Sequence, residues 1–424
     1  MLQAVITPEF TLKCTVSSCR GCAQPGLAPI LDYGLMPPSD GFLSSPETNA
    51  TRVHFPLELV FCEKCSLLQI LETLEPQHLF GAGYLYLSSC STSWLEHCRS
   101  NAEDIICRFD LDADNLVLEI ASNDGYMLQY FKQHGIQVLG VEPAPAPFRH
   151  ANTRGIETIN EFFTPDLARS LAKEKKADIV VSNNVLAHVA DIHDFIAGVK
   201  EVLSEKGTWI IEVPYVRALV DGCAFDTVYH EHLCYFSVSS LQSILSRHQL
   251  YLNDIKTLSS HGGSVRAYVG RRKNQTKRVS DMLHEEQHAG MRSLDYYLAF
   301  ALRARSVNMQ IVGVLEELAA QGRRIAAYGA AAKGTILLNC LGPTCCHVEY
   351  AADRNALKHG KWIPGVDIPI VPLTEIMRQR PDYLLLLPWN LRREVMLQER
   401  DYLQSGGSFI VPLPRPEVVS GNDL

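Results

Sequence analysis

Two cysteine pairs, Cys19-Arg-Gly-Cys22 and Cys62-Glu-Lys-Cys65, decide how the first part of this chain can fold. A C-x2-C turn presents two thiolates from one tight loop, and two such turns close a tetrahedral zinc site. The spacing predicts a small metal-stapled lobe in which Cys19, Cys22, Cys62 and Cys65 hold a structural Zn2+. Four thiolates leave no open position for water, so the site reads as scaffold rather than chemistry. The competing reading is four buried or disulfide-bonded cysteines, and Cys14 stands near enough to be a rival ligand. Up to Phe80 the chain is rich in Pro, Gly and Ser and has few long periodic stretches, which suits such a lobe.

The whole chain has 424 residues, room for two or three domains. No stretch approaches the ~20 apolar residues of a membrane span. Met1 to Phe10 has neither a basic start nor an apolar core, so no signal peptide is expected and the setting is read as cytoplasmic. In that compartment the thirteen cysteines are zinc ligands and free thiols rather than disulfides. A formal net charge of -8 weighs against nucleic acid as a partner, despite the local run Arg271-Arg272-Lys273. A monomer or a small homo-oligomer is expected.

From Leu111 the pattern changes. Apolar runs at Leu116–Ile120, Val138–Glu142, Asp178–Ser182 and Gly207–Val213 read as buried strands, with helical stretches between them. Ser264–Val269 reads as a later strand of the same sheet. Strands alternating with helices imply a largely parallel α/β sheet. Residues 280 to 320 read as helix ending near Gly322. A second α/β unit follows, with strands at Arg324–Tyr328, Tyr383–Leu387 and Ser408–Val411. The expected division is a zinc lobe at 1–80, a first α/β domain at 81–275, and a helical connection with a second α/β domain at 276–424.

In open α/β sheets ligands sit at the carboxyl ends of the strands. The loop after the first strand is Glu119-Ile120-Ala121-Ser122-Asn123-Asp124-Gly125-Tyr126. Its single glycine argues against a dinucleotide, which wants G-x-G-x-x-G for its pyrophosphate. S-adenosylmethionine carries no phosphate, and a tight turn of small residues with an acidic strand residue suffices. Glu142, at the end of the second strand and before Pro143, can accept both ribose hydroxyls; the plainer alternative is a solvated strand-end acid. Asn183, Asn184 and Val185 follow the third strand, where polar groups would meet the methionine end and the substrate.

With these motifs in order, the chain resembles the S-adenosylmethionine-dependent C-methyltransferases that act on nucleotide-linked ketosugars. The likeness rests on the paired knuckles, Glu119–Gly125, Gly140-Val141-Glu142-Pro143 and Asn184-Val185-Leu186-Ala187-His188. It continues through Tyr229-His230-Glu231-His232, Tyr235-Phe236-Ser237, His261-Gly262-Gly263-Ser264, Gly329–Gly334, Asp353-Arg354-Asn355 and Pro364-Gly365. The resemblance implies a central Rossmann-like class I methyltransferase domain and a second Rossmann-like domain for the nucleotide-sugar. It also implies transfer of a methyl group to C3 of a 4-keto-deoxysugar linked to thymidine diphosphate (dTDP), leaving S-adenosylhomocysteine.

C-methylation beside a ketone needs a base for the carbon-bound proton and donors for the enolate oxygen. The segment from Asp226 to His232 packs two imidazoles, two carboxylates and a phenol into seven positions. A His-x-His metal site is its first rival reading, with Cys234 as a further ligand. By resemblance Tyr229, Glu231, His232 and His188 line the active site, together with a tyrosine of the Tyr84-Leu85-Tyr86 stretch. His232 is expected to be the base, with Glu231 orienting it or binding a sugar hydroxyl. Tyr229 is the enolate donor or the alternative base, and His188 the other candidate for the keto oxygen. The family commonly has Ser-Gly-Ser after the tyrosine; here the run is Ser88-Ser89-Cys90-Ser91.

His261, Gly262 and Gly263 precede a strand, where glycines permit close approach to substrate or simply make a hairpin turn. Lys333, in the turn after the second unit's first strand, is placed for a phosphate, and Asp353 for a ribose. O- or N-methylation of another small molecule, a non-catalytic zinc and nucleic-acid binder, and a nicotinamide oxidoreductase are the competing functions.

Overall fold

The computed structural model describes residues 10–46, 53–81, 84 and 86–421. Among these, the N-terminal lobe is a four-stranded antiparallel sheet beside a two-stranded one. Phe55–Cys62 is the hub, pairing with Ala28–Met36 on one side and Leu67–Ile70 on the other. Leu57, Leu59 and Phe61 alternate inward and are fully buried, the period-2 pattern of a half-buried strand. The fourth strand of this sheet is Cys234–Tyr235, which comes from far along the chain and pairs with Gln69 and Leu68.

The middle domain is a seven-stranded sheet. In chain order its strands are Leu116–Ile120, Gln137–Val141, Thr158–Ile159, Ala177–Asn183, Leu203–Pro214, Tyr251–Leu258 and Ser264–Gly270. Across the sheet they run sixth, seventh, fifth, fourth, first, second, third. The first five are parallel, and the last inserts antiparallel between the fifth and sixth. The strand order reverses between Leu116–Ile120 and Ala177–Asn183, which opens a crevice at their carboxyl ends. Residues such as Val117, Val180, Val181, Ile210 and Ile211 are at most 1% exposed, so these strands are apolar on both faces as a helix-covered parallel sheet demands.

The expected single helix over 280–320 is two helices, Lys277–His288 and Leu294–Ala320. The chain turns at Gly290, whose φ of +77 suits glycine, and Met291 N–H closes back on Glu286 O. The second helix buries Tyr297, Phe300, Ala304, Val307, Ile311, Leu315 and Leu318, at three- and four-residue steps along one face. Its Tyr297 ring lies 4.3 Å from Phe61 of the lobe, centroid to centroid. The C-terminal domain is a second seven-stranded sheet with a parallel centre. Its order reverses between Ile325–Tyr328 and Tyr383–Leu386. Among the described residues no helix is long and apolar enough to cross a membrane.

Candidate active site

The four knuckle cysteines come together as the spacing predicts. Their sulfurs lie within 4.8 Å of one another, and all four residues are buried. Burial pushes the Cys62 thiol up to about 11, and the neighbouring Cys19 sulfur together with burial pushes Cys65 up as well. Crowded buried thiolates repel unless a cation neutralises them, so this donor set fits Zn2+. Cys14 is exposed and stands outside the cluster, as does buried Cys234.

A cavity of about 810 Å³ opens at the strand ends of the middle domain, and all three domains line it. At the ends of the parallel strands it is lined by Ala121, Asn123, Glu142, Pro143, Asn183, Asn184 and Val185. Three of these line-up residues break the usual backbone rule. Ala121, Asn123 and Asn184 have φ of +55, +49 and +55, a left-handed conformation that asparagine tolerates but that costs Ala121 roughly 1–2 kcal/mol. Such strain persists where surrounding structure holds it for a purpose, commonly at ligand sites. Glu142 is 3% exposed, and its carboxylate accepts N–H bonds from Asn123 at 2.9 Å and Ala144 at 2.7 Å. Burial nonetheless raises it to about 7. Among the described residues the buried Oδ1 atoms of Asn183 and Asn184 have no hydrogen-bond partner of good geometry, although the Tyr126 phenol lies close to the Asn183 side chain. A polar ligand with donor groups fits here, because orphaned buried acceptors are costly.

Other residues of the loop stand behind the wall. Glu119 is completely buried, and burial pushes its carboxyl well above the usual range. Ser122 packs where a Cβ on Gly140 would lie 2.4 Å from its hydroxyl, and Gly125 turns at φ +75 against Ile156. Asp124 pairs with Arg154 and accepts from Ser89. Asn123 accepts from Ser88 N–H at 2.9 Å and donates to Tyr86 O at 3.2 Å. The loop thus anchors the segment that carries Tyr84 and Tyr86, both of which face the cavity with ring centroids 6.4 Å apart. Ser88–Cys90 forms a 3-10 turn with no residue in the left-handed region, so the turn runs without a glycine.

Tyr229, Glu231 and His232 line the same cavity with His188. Tyr229 and His232 stack with centroids 4.2 Å apart, and the phenol oxygen is 3.1 Å from His232 Nε2. His188 lies 4.8 Å from His232, ring to ring. Its Nδ1–H donates to the Glu231 carbonyl at 2.5 Å. Burial lowers the His188 pKa, and in the neutral ring its other nitrogen carries a lone pair. Burial holds Tyr229 protonated, well above the usual phenol range. Glu231 is raised to about 7, first by burial and then by the neighbouring Asp40. His230 turns away, fully buried, with its Nε2 on Pro56 O at 3.0 Å.

The C-terminal domain brings Lys333 and Lys358 to the same cavity. Lys333 sits 4.7 Å above the Trp389 ring and donates to Asn390 Oδ1 at 2.5 Å. Gly262 and Gly263 line the wall near Trp389 at φ of +89 and +123, values that only glycine adopts freely. They also close the hairpin between Tyr251–Leu258 and Ser264–Gly270. The side chain of His261 lies outside the described part of the structure. Asp353 does not line the cavity; its oxygens accept from Ala330 N–H at 2.6 Å and Asn355 N–H at 2.7 Å. Sequence reasoning missed Asp40, Lys358, Trp389 and the aromatic wall of Phe162 and Phe163 beside Pro143.

Three family models match the chain in order. They are a putative zinc binding domain over residues 19–80, a methyltransferase domain over 94–254, and a C-methyltransferase C-terminal domain over 259–414. The C-methyltransferase NovU of Streptomyces niveus is 34% identical over 409 residues, spanning 96% of this chain and 97% of that protein. The chain belongs to the S-adenosylmethionine-dependent C-methyltransferases. Solved structures give more distant likenesses. The glycopeptide N-methyltransferase MtfA is 14% identical, with TM-score 0.32, covering 41% of this chain and 94% of that one. Magnesium protoporphyrin IX methyltransferase of Synechocystis PCC 6803 is 13% identical, with TM-score 0.32, covering 42% of this chain and 79% of that one. This C-methyltransferase therefore takes S-adenosylmethionine as cofactor and carries a zinc-binding four-cysteine cluster.

Proposed function

We propose that this enzyme, in the cytoplasm, methylates C3 of a dTDP-linked 4-keto-deoxysugar. One observation carries the reading. A single cavity holds the cofactor-side strand ends, the Tyr229–Glu231–His232–His188 cluster and two lysines of the C-terminal domain. Bound S-adenosylmethionine supplies an electrophilic methyl group at the strand ends. Glu142 receives the ribose hydroxyls there, between Pro143 and the aromatic wall, and the Asn183 and Asn184 oxygens take the donor groups of the methionine end. Lys333 and Lys358 face the diphosphate.

A 4-ketone acidifies the hydrogens on both flanking carbons, and removing one leaves an enolate. His232 takes that proton. Tyr229, kept protonated by burial, donates to the enolate oxygen in a site that excludes water. His188, neutral and fixed by its Nδ1–H bond to Glu231 O, presents a lone pair to a sugar hydroxyl. The Glu231 carboxyl, raised to about 7, orients the segment near working pH.

Calorimetry with S-adenosylhomocysteine, with and without thymidine diphosphate, is the first test; micromolar binding of the first, tightened by the second, is expected. Proton NMR of dTDP-4-keto-6-deoxyglucose in D2O with enzyme and S-adenosylhomocysteine then reads the carbon. Loss of the C3 proton signal supports the assignment. Loss at C5 alone moves the methyl to that carbon, and no exchange at either refutes ketosugar chemistry.

A further inference from the structure

The catalytic segment belongs to the middle domain by sequence, yet other domains hold it. Tyr33 of the lobe donates to Phe225 O at 2.7 Å. Trp389 of the C-terminal domain donates its indole N–H to Asp226 Oδ2 at 2.8 Å. Glu231 itself is held by Ser39 of the lobe, whose hydroxyl donates to Oε2 at 2.7 Å. Ser39 is completely buried. Its carbonyl accepts in turn from the hydroxyl of Thr335, at 2.9 Å, on the C-terminal helix Ala332–Cys340. Thr335 is 1% exposed. One chain of hydrogen bonds therefore runs from the C-terminal domain, through the lobe, to a carboxylate of the middle domain.

We propose that Ser39 and Thr335 are positioning residues that fix the Glu231 carboxylate, so that all three domains must be seated before the site is complete. Several features favour this over ordinary packing. Ser39 follows Pro37-Pro38, a stiff lead that limits where its hydroxyl can point. The Asp40 N–H makes a second, longer approach to Glu231 Oε1 at 3.4 Å, so the turn presents two donors to one carboxylate. A buried carboxylate has few other sources of donors, and its orientation follows those it has. Asp40 raises the carboxyl further by like charge, whereas the Ser39 hydroxyl and the backbone N–H groups of Glu231 and Asp40 favour its charged form. Ser39 is the side chain among these donors. The proposal rests on the reading of Glu231 as an active-site group, and its test separates the two.

Ser39→Ala, Ser39→Thr and Thr335→Val are compared with the full-length wild type. Zinc content and S-adenosylhomocysteine affinity are expected to stay unchanged. Exchange of the ring protons of dTDP-4-keto-6-deoxyglucose in D2O should slow about tenfold at pH 7 in Ser39→Ala, the loss of one hydrogen bond to a charged group. The acid limb of its pH profile should move upward, Ser39→Thr should restore both, and Thr335→Val should give a smaller change in the same direction. Wild-type rate and limb in Ser39→Ala, or no rescue by threonine, would overturn the proposal. Backbone hydrogen–deuterium exchange of residues 225–232, read by mass spectrometry, needs no substrate. Faster exchange there in Ser39→Ala supports the tether even if the ketosugar is the wrong substrate, and unchanged exchange refutes it.

Discussion

The two seven-stranded sheets have the same kind of crevice and opposite ways of building its floor. In the middle domain, Ala121, Asn123 and Asn184 carry left-handed backbone without glycine, and buried amide oxygens are left for a guest. In the C-terminal domain, Gly329 makes the corresponding turn at φ +81, and Asp353 already satisfies the Ala330 N–H. There a Cβ on Gly329 would meet Pro388 at 2.8 Å, so its glycine serves packing. The contrast teaches that a strand-order reversal locates a crevice but does not assign a ligand; unsatisfied polar atoms and strain do. On the proposed reading, the middle sheet is a cofactor floor, and the C-terminal sheet a platform that offers side-chain cations.

The largest effect expected is at neither floor but between them. His232→Ala should slow ring-proton exchange by ~10^2–10^4-fold, the usual contribution of a positioned base, while S-adenosylhomocysteine binds as before. Unchanged exchange would move the base to Tyr229 or His188. Glu142→Ala should weaken S-adenosylhomocysteine by about 10–100-fold, the loss of hydrogen bonds to a charged group, and leave thymidine diphosphate alone. Lys333→Ala should do the reverse, weakening thymidine diphosphate by about tenfold. If each variant affected both ligands alike in calorimetry, the division of labour between the sheets would fall.

A smaller effect sharpens the same contrast through pH. Glu142 and Glu231 are raised to about 7, and Asp226 to about 6, above the carboxylate values of an unfolded chain. Between about pH 4.5 and 7 these three carboxyls bind more protons in the folded than in the unfolded chain, so their contribution to stability falls as pH rises through that window, whereas His188, His230 and His248, whose pKa values burial lowers, act in the opposite sense. Glu142→Gln should remove its share, so that the melting temperature at pH 5.5 minus that at pH 8 is smaller in the ligand-free variant than in the wild type. An unchanged difference in differential scanning fluorimetry would contradict the burial of this carboxyl. Cys62→Ser should lose zinc by elemental analysis, whereas Cys14→Ser keeps it, because Cys14 is exposed outside the cluster.

The fold was legible where local pattern decides it. Continuous apolar runs such as Leu116–Ile120 and Tyr383–Leu386 suit strands buried on both faces, and the cysteine spacing names its own geometry. The helix break at Gly290 was missed because one glycine in a long polar helix is ordinary until tertiary packing bends the chain there. At the site, the residues of one contiguous segment, Tyr229 to His232, were found together, since sequence neighbours stay neighbours. Ser39, Asp40 and Trp389 were not, because they meet the segment or the cavity across domain boundaries and carry no motif. Of the acids named from strand ends, Glu142 faces the cavity, whereas Glu119 points into the core and Asp353 is spent on the backbone N–H groups of Ala330 and Asn355. Which way a strand-end side chain points depends on the neighbours it meets.

The lobe's sheet borrows its last strand, Cys234–Tyr235, from beyond most of the middle domain. During synthesis, then, Leu67–Ile70 must wait as a bare edge until some 160 residues more have emerged, although all four of its residues are buried in the finished protein. An unpaired apolar edge invites wrong partners. A fragment ending after residue 80 would keep all four metal ligands and still be prone to aggregate, so zinc loading and the arrival of the catalytic segment are two locks on the same newborn chain.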